Sequence, residues 1–369
     1  TTSPLYFRSD TSAFTGSISN VSVKEVITSN VPRIDYSNGC GSLLLEPQRT
    51  NLVTYSEDFS NASWSKNGAL SVTANALISP SGETNAYLLS NTSVENRIGQ
   101  DISVVSGESY TLSVYLKNNG GNNTITFAAI GYSSESKTIS DEWARYEYTI
   151  TATSTATVQF RFLSFDDNVD LYAYGAQLEA GSYPTSYIPT TSTTTTRLAD
   201  AASKTGLSSL IGQTEGVLYA EIAALADDLS FRFITINDGS ASNRVAIRYR
   251  TASNSISCLI SSGGGTVFNE TEIVSDITNF NKVAVKYKSG DIAVWINGIE
   301  VMTASTAFSI SGLSGLSFDD STGGNKFEGK CQNLMVFPSA LTDDELADLT
   351  GSKITTFNSL ALSRGYTIL

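Results

Sequence analysis

Apolar and polar residues alternate with a period of two along most of this chain, and that leaves little room for anything but β-structure. Tyr146–Thr151 (YEYTIT) and Thr157–Phe162 (TVQFRF) alternate strictly, and Tyr110–Leu116 (YTLSVYL) nearly so. Val217–Ile222, Phe231–Ile236, Val245–Tyr249, Val283–Tyr287 and Ile292–Ile296 continue the pattern. Side chains on a strand point to its two faces in turn, so each run offers one face to a core and the other to water or a second layer. Turns rich in Ser, Gly, Asn and Asp separate the runs at short spacing, as antiparallel sandwiches require. The predicted fold is therefore all-β: two tandem antiparallel β-sandwiches (jelly rolls) with one short C-terminal helix. That helix falls at Ala340–Leu349 (ALTDDELADL), where Thr342 and Glu345 spell a capping box. Asp343, Asp344 and Glu345 then sit at the positive end of the helix dipole, and Gly351 stops it.

Composition narrows the chemistry. The 369 residues are 40% hydrophobic, enough for two or three domains with sizeable cores and too apolar for a disordered chain. Against 23 Lys+Arg stand 36 Asp+Glu, a net charge of −13. That field repels phosphate backbones and no local basic cluster reverses it, so nucleic acid is not an expected partner. There is no histidine, which removes Ser-His-Asp and Cys-His catalysis, His-ligated zinc and imidazole pH switches together. Cys40, Cys258 and Cys331 are far apart, cannot all pair within the chain and read as buried free thiols. No apolar stretch reaches the roughly 18 residues of a membrane span. The first residues carry neither a basic n-region nor an apolar core, so no secretory signal is expected.

Thr190–Leu207 (TTSTTTTRLADAASKTGL) is poor in large apolar residues and reads as an extended connector. The expected organisation is an N-terminal strand segment over 1–30, a first sandwich over 31–189, a Thr-rich linker over 190–211, a second sandwich over 212–351 and a tail over 352–369. An internal echo supports the first of these. Phe14–Val23 (FTGSISNVSV) and Phe327–Val336 (FEGKCQNLMV) share the frame F-x-G-x-apolar-x-N-apolar-x-V. The second copy reads as a closing strand, so the first reads as the end of a truncated domain or a strand lent to a neighbour.

Several phrases resemble bacteriophage virion proteins. Pro32–Val53 (PRIDYSNGCGSLLLEPQRTNLV) with Tyr55–Trp64 (YSEDFSNASW) is similar to the lead-in of a carbohydrate-binding-module-like jelly roll in phage tail and head-fibre proteins. Ser109–Lys117, Glu142–Tyr148 and Tyr174–Asp200 (YGAQLEAGSYPTSYIPTTSTTTTRLAD) continue and close that module. The second half resembles concanavalin A-like, laminin-G-type jelly rolls, through Val294–Gly298 (VWING) and the stretch FEGKCQNLMVFPSALTDDEL. The resemblance implies a virion structural or adsorption protein with sugar-binding-type folds, although a fold alone does not establish a ligand.

Three constellations are candidate sites. Glu270-Thr271-Glu272 is the nearest approach to a glycosidase carboxylate pair, but the E-x-D-x-x-E strand pattern is missing and a Gly-rich turn at Gly263–Gly265 precedes it, as in a solvated hairpin. The loops Leu163–Asp170 (LSFDDNVD) and Leu316–Asn325 (LSFDDSTGGN) repeat LSFDD. Asp166, Asp167 and Asp170, and likewise Asp319, Asp320 and Asn325, supply the oxygens calcium prefers; ordinary turn formation is the competing reading. In the resembling jelly rolls a structural calcium takes a ligand from the first strand, which Glu57 or Asp58 would match. For sugar, Trp295 points away from the face shared by Val294 and Ile296, towards either a ligand surface or a covering loop. Tyr249 ends its strand, at a rim or in the core. Trp64 and Trp143 read as core, and Tyr183 and Tyr187 as anchors of the connector on the first domain.

The expected function is that of a non-enzymatic bacteriophage virion protein, a head or tail fibre or decoration, holding host surface glycan weakly, with Ca2+ as an optional cofactor. Expected partners are other virion proteins and further copies of the chain, on the particle surface. The rival readings are a purely architectural capsid or collar component and a polysaccharide depolymerase.

Overall fold

In the computed structural model the described residues are 33–351, apart from 38, 67–68, 92–95 and 167. The expected segment 1–30, the tail 352–369 and Asp167 thus lie outside the described residues. The chain is all-β, in antiparallel sandwiches, with a single helix among the described residues.

The first sandwich stacks two five-stranded sheets. One runs in the spatial order Glu135–Thr138, Thr124–Ala129, Ala156–Asp166, Asn96–Val104, Ser65–Lys66. The other runs Ala144–Thr151, Ser109–Asn118, Val169–Ala180, Ala86–Asn91, Ser71–Leu77. The alternation does what it predicts: Tyr110, Leu112, Val114 and Leu116 enter the core, while Thr111, Ser113 and Tyr115 turn outward. Phe59, Trp64 and Phe162 form an aromatic knot with centroid separations of 5.1–6.0 Å. Trp64 is core, as read; Trp143 is half-buried, its indole N–H donating to the Ile78 carbonyl at 3.0 Å.

The second sandwich pairs a six-stranded sheet with a seven-stranded one. The six-stranded order is Ser203–Lys204, Gly315–Ser317, Arg232–Asn237, Arg244–Tyr249, Ser255–Ser262, Gly265–Ile273. The seven-stranded order is Arg33–Asp35, Ser42–Leu45, Gly329–Phe337, Glu215–Ala224, Asn281–Lys288, Ile292–Ile296, Ile299–Ala304. Here the pairing differs from the expected boundary at residue 31. The hairpin Arg33–Leu45 is hydrogen-bonded to Gly329–Phe337, with Leu43 opposite Cys331, and so extends the second sandwich. Period-two patterning says which face a residue takes but not which sheet its strand joins, and the SLLL run suits either core.

The Thr-rich stretch is stitched to both units. Thr195–Arg197 pairs with Arg49–Asn51, and Ser203–Lys204 adds to the six-stranded sheet opposite Leu316 and Ser317. The helix, Asp343–Thr350, carries the capping box as read: Glu345 N–H donates to Thr342 Oγ1, and the Glu345 carboxylate accepts from Thr342 N–H at 2.8 Å. It lies on the outer face of the seven-stranded sheet and buries Leu346 completely against Val217, Tyr219 and Ala284, a burial of about 1.5–3 kcal/mol.

Candidate binding cleft between the sandwiches

The outward face of the Ser109–Asn118 sheet builds one wall of a cleft of about 650 Å³. Register sets Tyr115 opposite Arg145 on one neighbouring strand and Tyr174 on the other. The Tyr115 and Tyr174 rings are 6.1 Å apart, Tyr174 and Tyr187 5.6 Å, and the Arg145 guanidinium lies 5.5 Å from the Tyr115 centroid. The ladder breaks between Tyr174 and Gln177, where Gly175 has φ +62° and the Tyr187 ring sits over it. A Cβ at Gly175 would meet that ring at 3.2 Å, so the positive φ and the close approach both favour glycine there.

The segment 181–189 folds back over this face and is tied down by buried polar groups. Glu179 accepts from the Thr185 N–H at 2.8 Å and its hydroxyl at 2.5 Å, and Gln177 accepts from Ile188 N–H at 2.6 Å. Arg145 donates to the Thr185 carbonyl at 2.6 Å and to Ser113 Oγ at 2.8 Å. The Tyr187 hydroxyl meets Ser56 Oγ at 2.6 Å, so Tyr187 anchors the segment as read. The Tyr174 hydroxyl donates to Glu57 at 3.0 Å; burial first, and the Glu57 carboxylate with it, push that phenol up to about 12.

The opposite wall comes from the second sandwich. Asp35, Ser37 and Leu44 of the edge hairpin line it, with Ala224, Leu225, Thr278 and Lys330. Lys330 pairs with Asp35 at 2.5 Å. Burial would raise the Asp35 carboxyl, but hydrogen bonds from Lys330 and Ser37 outweigh it and hold the group below its ordinary value. Glu46, also lining the cleft, is buried between Arg33 and Arg197 (2.7 Å to the latter) and accepts from Ser186 N–H at 2.8 Å. Asp200 is buried beside it, accepting from Glu46 N–H at 2.8 Å, and burial pushes its carboxyl up. Four charged residues from separate parts of the chain thus lock the sandwiches together under the cleft.

Two atoms of the lining residues have no hydrogen-bond partner. Arg145 forms no ion pair among the described residues and its Nε is buried without an acceptor; the Tyr183 hydroxyl is buried without one too. Half-buried phenol rings beside a guanidinium that carries no ion pair suit a ligand with flat C–H faces and hydroxyl or carboxylate oxygens.

The residues singled out from sequence lie elsewhere. Tyr249 is not at a rim: it is 2% exposed and stacks on Phe327 at 5.9 Å and 27°, so both ring faces are spent inside the core. Trp295 is covered, by the helix: it packs with Tyr219, Leu346 and Leu349, and its Nε1–H is buried without a partner. Neither offers a platform for sugar. The described carboxylates of the first acidic loop are held by other segments and those of the second by their own turn. Asp166 accepts from Thr126 N–H at 2.9 Å and Asp170 from Asn119 at 2.9 Å, while Glu57 is held by Tyr174. Asp319 accepts from Ser321 N–H at 2.7 Å. Asp320 accepts from Thr322 N–H and hydroxyl, Gly324 N–H and Asn325, and these bonds outweigh burial to hold its carboxyl low. Among the described residues no three carboxylates or thiols converge as a metal site. In the second loop Asp319 and Asp320 are engaged in Asx-type turns. Glu270 and Glu272 lie on the edge strand Gly265–Ile273, away from the cleft.

Tyr115 and Arg145 were not singled out. Alternation could have placed both outward, since Leu112, Val114 and Leu116, and Tyr146 and Tyr148, take the inner positions. That the second sandwich supplies a facing wall has no local signal.

Residues 221–347 match the family described as the concanavalin A-like lectin/glucanases superfamily, of laminin-G type. No curated protein matches the sequence. Among solved structures, a sialidase CBM40 from Ruminococcus gnavus bound to α2,3-sialyllactose is similar at 16% identity and a TM-score of 0.33, over 38% of this chain and 84% of that one. Domain 4 of the arabinanase AbnA from Geobacillus stearothermophilus, in complex with arabinotriose, is similar at 13% and 0.33, over 43% and 73%. A heptameric SAP-like pentraxin from Limulus polyphemus is similar at 15% and 0.31, over 37% and 70%.

Proposed function

We propose that the protein is a non-enzymatic glycan-binding component of a bacteriophage particle, and that the cleft between the sandwiches is where sugar lies. The observation that carries the binding reading is the half-buried wall of Tyr115, Arg145, Tyr183 and Tyr187, which faces Asp35, Ser37 and Lys330 across a cleft of about 650 Å³. The match of residues 221–347 to a lectin/glucanase family supports it. The particle setting rests on the phage-like phrases in both halves, and multicopy display there would turn a weak site into an avid one. The non-enzymatic reading is supported by the absence of histidine and by the commitment of Asp35 and Glu46 to ion pairs.

A glycan array probed with the full chain tests the binding. Retention on at least one glycan class, lost about tenfold or more in Tyr115→Ala, is the expected outcome. No retention on any glycan, or retention indifferent to Tyr115→Ala, refutes it. The retained glycan should show no reducing-end release after prolonged incubation. Electron microscopy of assembled particles, with labelled antibody against the chain, tests the setting; unlabelled particles would refute it.

A further inference from the structure

A second uncompensated group of charges lies on the outer face of the six-stranded sheet, apart from the cleft. On the strand Arg244–Tyr249, the side chains of Val245, Ile247 and Tyr249 enter the core, so Arg244, Ala246 and Arg248 face outward and Arg250 follows in the same phase. Register sets Arg248 opposite Phe233. The guanidiniums of Arg244 and Arg248 lie 5.6 and 5.4 Å from the Phe233 centroid, and that of Arg250 lies 5.5 Å from Phe231, itself 6.4 Å from Phe233. Three cations and two rings thus interleave in one patch, a local basic cluster where the sequence reading expected none.

Every acceptor these arginines reach is neutral. Arg248 donates to Ser257 Oγ at 3.1–3.2 Å and to Asn269 Oδ1, which Arg250 also reaches at 3.3 Å. Arg244 donates to the Asp320 carbonyl at 2.5 Å, and its Nε is buried without an acceptor. None of the three forms an ion pair among the described residues, in a chain with 36 acids against 23 bases. Arg248 is 7% exposed. Burial, then the neighbouring Arg250 and Arg244, bring its guanidinium down to about 10. A buried cation is ordinarily paired, and among the described residues no carboxylate supplies the counter-charge.

We infer that this face is an anion-binding site for an acidic polysaccharide, with Arg244 and Arg250 meeting carboxylate or sulfate groups in front of Arg248 and the exposed Phe231 ring carrying a sugar face. The net charge of −13 opposes a polymer as densely charged as nucleic acid and tolerates one with a single charge per sugar. Guanidinium forks suit both carboxylate and sulfate oxygens.

Affinity electrophoresis of the full chain at about 0.15 M salt, where the Debye length is about 8 Å, tests this with polygalacturonate, the sparsely sulfated κ-carrageenan and neutral dextran. Retardation by polygalacturonate, κ-carrageenan or both, and none by neutral dextran, is expected; which of the two acts separates uronate from sulfate ester. Arg250→Gln and Arg244→Gln, both at half-buried positions, should each weaken retardation about tenfold with an unchanged circular dichroism spectrum, while Tyr115→Ala leaves it intact. No retardation by either acidic polymer, equal retardation by neutral dextran, or equal retardation of wild type and both arginine variants overturns the inference. So does loss in Tyr115→Ala alone, which would return the binding to the cleft.

Discussion

Replacing Tyr249 by phenylalanine is expected to stabilise the second sandwich, against the usual direction of a core substitution. The Tyr249 hydroxyl is buried and has no hydrogen-bond partner, and burial drives its ionisation far above the ordinary range. An unpaired buried polar group costs about 1–3 kcal/mol. Removing the oxygen leaves a void of roughly 10–15 Å³, which at about 24 cal/mol per Å³ returns only about 0.3 kcal/mol. The ring, and its stacking on Phe327, stays. The net gain is about 1 kcal/mol, which is about fivefold in an opening equilibrium. Tyr287 is the internal control. It is equally buried in the same core, but its hydroxyl donates to the Gly212 carbonyl at 3.0 Å. Tyr287→Phe orphans that carbonyl and should cost about 1–2 kcal/mol. Hydrogen exchange read by mass spectrometry on peptides covering Asn281–Lys288 isolates the second sandwich from the first. Tyr249→Phe should slow exchange there about fivefold, and Tyr287→Phe should speed it about tenfold. If both variants shift exchange in the same direction, or Tyr249→Phe speeds it, the reasoning from hydroxyl satisfaction fails.

Three further outcomes are expected. Thr342→Ala removes one half of the capping box and should cost about 1 kcal/mol, seen as about fivefold faster amide exchange within Asp343–Thr350; unchanged exchange would contradict the capping geometry. Glu46→Gln leaves the buried Arg197 without its carboxylate, while Arg33 keeps Asp200, and should cost about 3–5 kcal/mol, with a larger radius of gyration in X-ray scattering as the sandwiches part; an unchanged radius would show that the ion cluster does not hold them. At pH 8 a thiol reagent should label exposed Cys40 and spare Cys258 and Cys331, whose thiols burial pushes up to about 12. Because these thiols ionise at 9.0 when unfolded, their contribution to stability is full below pH 9 and is lost between pH 9 and 12; a urea midpoint that rises across that window would contradict the burial.

The strands, their facing and the capped helix are legible in the residues because all three are local. Alternation in Tyr110–Leu116 names its inner and outer positions without reference to any partner, and Thr342 and Glu345 identify each other across one helical turn. What is not legible depends on meetings between distant segments. Nothing in SLLL says that residues 42–45 pair with 329–337 and not with a nearer strand. Trp295 reads equally well as a ligand platform and as the floor under a covering element, and only the docking of Leu346 decides. The repeated LSFDD phrase reads the same in both loops, but the partners differ: Asp319 and Asp320 bond Ser321, Thr322 and Gly324 within their own turn, whereas Asp166 and Asp170 bond Thr126 and Asn119 on distant segments. Tyr115 and Arg145 are placed outward by the pattern, yet their significance appears only once Lys330 and Asp35 face them from the other unit.

The pairing of residues 33–45 with 329–337 also decides how the protein transmits force. Both the first and the last described elements belong to the second sandwich, and the first sandwich is an insertion between residues 45 and 203. Tension applied between residues 33 and 351 passes through one unit and bypasses the other. The hairpin at the sheet edge must peel away before any load reaches the strands that carry Tyr115 and Arg145, so that part of the cleft keeps its shape while the chain around it is being pulled.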